Sequence, residues 1–366
     1  MRAGLATVST GERGGAGTRG SGGGKGWFRT CPWSETQAAA GSNIGSPEPP
    51  HDPAGAVLYR SLVVTVVWTL ALLYLGSVVH ATESSLACPD WPTCFGTMMP
   101  EMVGGVFWEH LHRLVAGALI LLFGVSTYLA FRDGGQRRWF VRASVAGVLL
   151  LLVQAVFGGL TVIYRLPDAV STTHLSLAFL FLSLAVVLAT AASPRRGALP
   201  ALSPAVAGSL RRWATGAAVL VFLQSAIGAV VRHTDSGMAC PDFPTCLGQW
   251  VPPMGTHYVA IHFTHRVVAV VATLAVIGLL AALVRAGAPQ RLVRQAWAAV
   301  ALVAVQFTLG VVSVFTILAV TPVSLHTLGA AALLALLVHL ATVARMDVGS
   351  DRNPIESDAA PAGSPA

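Results

Sequence analysis

The chain has 366 residues, 54% of them hydrophobic and 11% charged, and a formal net charge of +7; its mean hydropathy is +0.67. Soluble domains carry about 25% charged residues, so this composition excludes a water-soluble enzyme, a disordered chain and a nucleic-acid binder. Five cysteines are too few for a disulfide-framework scaffold.

Residues 1–56 are rich in Gly, Ser, Ala and Pro without an apolar period and read as a disordered tail. Crossing a bilayer takes about 20 apolar residues. Eight stretches meet that length, at about 58–80, 107–131, 143–164, 172–192, 213–232, 258–284, 296–320 and 324–345. Residues 348–366 read as a second short tail.

The basic residues place these spans. Arg2, Arg13, Arg19, Lys25, Arg29 and Arg60 precede or open the first. Arg132, Arg137, Arg138 and Arg142 flank the loop between spans two and three. Arg195, Arg196, Arg211 and Arg212 flank the next even-to-odd loop, and Arg285, Arg291 and Arg294 the one after; Arg345 and Arg352 follow the last span. The opposite side has Arg165 and Arg232, and Arg113 and Arg266 fall inside spans. By the positive-inside rule both termini are cytoplasmic, in a multi-pass protein of the cell membrane. The net charge is therefore a topology signal, and no nucleic-acid partner is expected.

The chain repeats itself at an offset of 152: ACPDWPTCFG at 87–96 matches ACPDFPTCLG at 239–248, Gly76 matches Gly228, VQAVFGG at 153–159 matches VQFTLGV at 305–311, and His174 matches His326. EHLHR at 109–113 matches HFTHR at 262–266 after one inserted residue. An even number of spans per repeat preserves orientation. The expected fold is thus an all-α integral membrane protein of eight transmembrane helices, built as two tandem parallel-repeat four-helix bundles at 57–197 and 198–347.

Four histidines stand out. His112, His174, His265 and His326 lie in the first two turns of the even-numbered spans, all at similar depth. An ionisable residue inside a span points to a functional site, and two imidazoles facing each other in a bundle core suit axial ligation of a haem iron. Zinc would need further ligands, and no Cys or Asp joins either pair at that depth. Arg113 and Arg266 follow ligand histidines, and Arg165 and Arg232 break the charge rule on the outer side; all four are candidates to bind haem propionates. Glu109 sits three residues before His112 on the same face, where the second half has His262. This divergence assigns chemistry to the first half and an auxiliary role to the second.

Cys88 and Cys94, and Cys240 and Cys246, lie in loops expected on the outer side, where disulfides persist. Their spacing suits a tight covalent loop, either a structural staple or a redox pair exchanging with a thiol–disulfide carrier. QxxxG occurs at Gln154/Gly158, Gln224/Gly228 and Gln306/Gly310 and reads as helix packing.

Together these residues make the region of about 57–345 resemble the haem A synthase family. The resemblance rests on ExxHR (Glu109, His112, Arg113), His174, HxxHR (His262, His265, Arg266), His326 and the paired-Cys loops. It implies oxidation of a methyl group of haem O to formyl, giving haem A for terminal oxidases. It also implies a haem b cofactor between His265 and His326, the substrate haem O between His112 and His174, and a role for Glu109 in activity. Haem O synthase and haem-copper oxidase assembly factors are the implied partners, besides the lipid bilayer. The first half departs from the family's loop lead-in, with HATESSLACPD where the second half has RHTDSGMACPD. The alternative is a di-haem cytochrome b-type electron-transfer protein.

Overall fold

Each apolar run folds as one long helix, because a backbone without water must satisfy its polar groups internally. A computed structural model describes residues 53–133, 136–194 and 202–347. It contains α1 (Pro53–Ala81), α2 (Gly104–Arg132), α3 (Arg138–Ile163), α4 (Asp168–Ala191), α5 (Pro204–His233), α6 (His257–Arg285), α7 (Gln290–Phe315) and α8 (Val320–Asp347). All eight are long and apolar enough to cross a membrane, and no strand occurs among the described residues. The protein is a multi-pass membrane protein. Residues such as Leu121, Leu149, Leu274 and Trp297 expose more than half of their surface, as lipid-facing side chains do.

The helices overrun the apolar stretches at their basic ends. α5 begins at Pro204, with Ser203 accepting from the Val206 N–H, and carries Arg211 and Arg212 within it. The hydrogen-bond ladder continues wherever the backbone allows, whereas hydropathy stops at the first charge. α1 likewise begins at Pro53, inside the stretch read as tail; residues 1–52 and 348–366 lie outside the described residues.

α1 packs on α2 and α4, and α3 joins α2 to α4; α5, α6, α7 and α8 repeat this pattern of neighbours. α1 meets α8, and α4 meets both α5 and α8, along the seam between the two groups. The core crosses that seam: Leu73, Phe179, Leu182 and Val186 belong to one buried cluster with Leu210, Val276 and Leu337. Many of its members are alanines, including Ala214, Ala217 and Ala331, and small side chains let membrane helices approach closely enough for dispersion to hold them. Thr190 meets His339 across the same seam, with Oγ1 2.9 Å from Nδ1.

Backbone irregularities recur in both halves. Arg165 and Leu166 have φ of 57° and 61°, and Ile317 and Leu318 have φ of 51° and 58°. Each left-handed non-glycine residue costs about 1–2 kcal/mol. Their recurrence marks the geometry that starts α4 and α8 and so sets the height of His174 and His326. The N–H groups of Leu166 and Leu318 reach back to the carbonyls of Thr161 and Ser313, both at 2.7 Å, closing the preceding helices.

Candidate functional site

The four histidines share one construction. Each ring lies against a glycine of the preceding helix. A Cβ at Gly76 would stand 3.0 Å from His112 Cε1, one at Gly158 3.1 Å from His174 Cε1, one at Gly228 3.0 Å from His265 Cε1 and one at Gly310 3.4 Å from His326 Cε1. The glycines are therefore seats that a side chain would fill. His112 and His174 are close enough to interact electrostatically, as are His265 and His326. The structure thus gives all four sequence-predicted histidines the same seat, His112 and His174 in the first group of four helices and His265 and His326 in the second.

The glutamines of the QxxxG segments also serve these rings. His174 Nδ1 lies 3.1 Å from the Gln154 carbonyl, and His326 Nδ1 3.1 Å from the Gln306 carbonyl. A carbonyl only accepts, so these nitrogens carry the proton and donate, leaving Nε2 with a lone pair for a metal. The Gln306 side-chain amide donates to the His326 carbonyl at 2.9 Å. The Gln224 amide donates to the His265 carbonyl at 3.0 Å and lies 3.0 Å from its Nδ1. The first half has Leu72 in the place of Gln224, and His112 Nδ1 is buried without a partner. The packing expected of QxxxG is present, but its glycines and glutamines also orient imidazoles. The sequence carried that signal: Gly158 and Gly310 precede His174 and His326 by the same interval.

Arg113 and Arg266 turn to the cysteine loops. Arg113 donates to the carbonyls of Asp90 at 2.7 Å and Thr93 at 2.6 Å, and Arg266 to those of Asp242 and Thr245, both at 2.8 Å. Arg266 also holds the Cys240 carbonyl at 2.6 Å. Arg113 pairs with Glu109 Oε1 at 2.5 Å. The other Glu109 oxygen accepts the Cys88 N–H at 2.8 Å, and His262 Nδ1 occupies the same place opposite the Cys240 N–H at 3.3 Å. Glu109 and His262 thus both anchor a loop, and only the first brings a carboxylate. Arg232 donates to Ser77 Oγ at 2.9 Å and to the Ser77 carbonyl at 2.7 Å, across the seam. Its Nε is buried with no partner, a donor left for a carboxylate. Arg165 lies exposed in the turn between α3 and α4.

Replacing Arg113 by Ala leaves Glu109 buried without its counter-charge, and about 3 kcal/mol of stability should be lost. Arg266→Ala removes loop hydrogen bonds alone and should cost about half as much. Thermal unfolding of both variants in detergent checks the ranking.

Both predicted cysteine pairs are disulfides, Cys88–Cys94 and Cys240–Cys246. An aspartate organises each loop. Asp90 accepts from the Thr93 hydroxyl, the Phe95 N–H and the Gly96 N–H; Asp242 accepts from Thr245, Leu247 and Gly248. These bonds, led by the threonine hydroxyls, hold both carboxyls below the usual range, that of Asp242 down to about 2. A depressed folded-state pKa stabilises the loop above the ordinary carboxylate value and is lost as pH falls through the lower one. Amide exchange at Leu247 and Gly248 should therefore stay slow from neutral pH to about pH 4 and accelerate, beyond its intrinsic pH dependence, toward pH 2. Asp242→Asn should remove that pH dependence.

Family comparison decides the class. The family model described as cytochrome oxidase assembly protein matches residues 59–338. The chain belongs to that family. The match takes in all four histidines and both disulfide loops. Among its relatives is a heme A synthase of Shouchella clausii, 28% identical over 222 residues, which cover 59% of this chain and 73% of that protein. Another, from Symbiobacterium thermophilum, is 31% identical over 225 residues, covering 60% and 72%. A third, from Lysinibacillus sphaericus, is 26% identical over 282 residues, covering 76% and 92%. The chain is thus similar to heme A synthases along most of its membrane region. In this chain a glycine seat recurs at each of the four histidines.

Proposed function

We propose that the protein is a haem A synthase, an oxidoreductase that converts the methyl group of haem O to the formyl group of haem A. The observation that carries this reading is the pair of glycine-seated imidazole couples, in a chain whose relatives bear that name. The donor set fits haem: Nε2 of His174 and of His326 is left with a lone pair by the carbonyl bonds at Nδ1, and Arg232 keeps a buried donor free.

In this reading His265 and His326 hold haem b, which supplies one-electron chemistry when bound. His112 and His174 hold the substrate, haem O. His112 lacks the glutamine that steadies His265, which suits a site whose occupant is exchanged at every turnover. Glu109 stands one helical turn from His112, and each of its oxygens keeps a lone pair beyond the donor it already holds. It is the group that takes up a proton as the methyl is oxidised, while Arg113 fixes its position. Arg232 and Arg165 face propionates, and Arg113 and Arg266 act through the loops. The di-haem electron-transfer alternative has no feature of its own in favour.

The two groups of four helices are read as parallel repeats, with residues 57–197 taking substrate and 198–347 the cofactor. In this reading both termini are cytoplasmic and the membrane is the cell membrane, which the basic ends support. The supplying reaction is haem O synthesis, and the consumers are haem-copper oxidase assembly factors. A thiol–disulfide carrier acts on the loops. Pigment extraction from cells with and without the gene tests the reading: haem A should disappear and haem O accumulate in the deletion strain. Unchanged haem A would reject it in favour of simple electron transfer.

A further inference from the structure

The first cysteine loop has a neighbour that the second lacks. His110 is 2% exposed, and the aligned residue of the second half is Phe263. A ring nitrogen of His110 and the sulfurs of Cys88 and Cys94 all lie within 4.8 Å of one another. His110 Nε2 is 3.0 Å from the Met98 carbonyl, so that nitrogen donates its proton and Nδ1 keeps a lone pair. Nδ1 is buried with no partner. Metal-ligating imidazoles are held in this way, one nitrogen on a carbonyl and the other on the metal. In the second half Phe263 packs against the buried cluster of Cys240, Cys246 and Val259 and offers carbon only.

We propose that Cys88, Cys94 and His110 form a binding site for a thiophilic d¹⁰ cation such as Zn²⁺, opened by reduction of the disulfide, and that the second loop has no such site. A dithiol gives two electrons and two protons: the Cys88–Cys94 bond breaks, two S–H groups form, and the dithiol leaves as its own disulfide. Zn²⁺ then displaces both thiol protons and is held by two thiolates and one imidazole, with a fourth position open to water. Soft sulfur ligands select this class of ion over Mg²⁺ or Ca²⁺. The charge balance agrees. Arg113 is already paired with Glu109, so two thiolates would add charge that a divalent cation offsets. None of the three ligands is one of the four seated histidines, so zinc binding and haem binding stand or fall separately.

The test uses the full chain in detergent with Cys31→Ser, Cys240→Ser and Cys246→Ser, so that only the first pair responds. Zn²⁺ is titrated against a chromophoric chelator before and after phosphine reduction. The expected result is about one tightly bound Zn²⁺ per chain after reduction and none before. His110→Phe should weaken it at least about tenfold. A complementary chain with Cys31→Ser, Cys88→Ser, Cys94→Ser and Phe263→His should gain reduction-dependent uptake at the second loop. No uptake by the reduced parent, or equal uptake with His110→Phe, would overturn the proposal.

Discussion

His265→Ala and His326→Ala chains should purify without the low-spin absorbance of a resident haem, with the signal at background in each. Low-spin iron needs both axial imidazoles, and the groups beside His265 are already engaged: His262 holds the Cys240 N–H and Arg266 the loop carbonyls. The glycine seats supply a graded control. A methyl at Gly310 would meet His326 at 3.4 Å and at Gly228 would meet His265 at 3.0 Å. Gly310→Ala should therefore keep most of the haem, since 3.4 Å is ordinary van der Waals contact. Gly228→Ala should lose more of it, because at 3.0 Å the His265 ring must give by a few tenths of an ångström. Absorption spectra at equal protein concentration decide the matter. A normal spectrum in both histidine variants would end the ligand assignment.

Glu109→Gln should keep that spectrum and lose haem A formation by about a hundredfold or more, the range expected when a positioned acid–base group is removed. The amide is isosteric and still offers an oxygen to the Cys88 N–H, now held at 2.8 Å, so the loop should stay in place. What disappears is the carboxylate one turn from His112. Glu109→His tests the same point by another route. It copies His262, which anchors its own loop through Nδ1, and should fold while remaining inactive. Wild-type turnover in either variant would reduce Glu109 to a loop anchor. The measurement is haem A extracted from cells expressing each variant in the deletion strain.

The spans were legible because hydropathy accumulates along a helix and needs no knowledge of neighbours; seven of the eight runs lie within or nearly within one helix, whereas 296–320 runs past Phe315 through an apolar turn to Val320, the start of α8. Their basic ends were not, since Arg211 and Arg212 continue a backbone ladder that hydropathy cannot see. The histidines were legible through duplication, and so were the disulfides. The direction of Arg113 and Arg266 was not. Adjacency to a ligand histidine suggested propionates, but the side chains meet carbonyls 20 to 24 residues away in sequence. His110, which the sequence offers only as one of several histidines near the outer face, showed no metal signal for the same reason, because only the folded loop brings Met98 and the cysteine pair to it.

By itself the order of residues settled how many helices cross the membrane and which imidazoles recur at matched depth, since both follow from short-range pattern and internal repetition. Tertiary structure alone decided what each polar group touches. In a medium without water every buried polar group must find a partner or remain orphaned, and such partners are supplied by other helices and loops: Ser77 for Arg232, the Gln154 and Gln306 carbonyls for His174 and His326, and none for Nδ1 of His112 and His110.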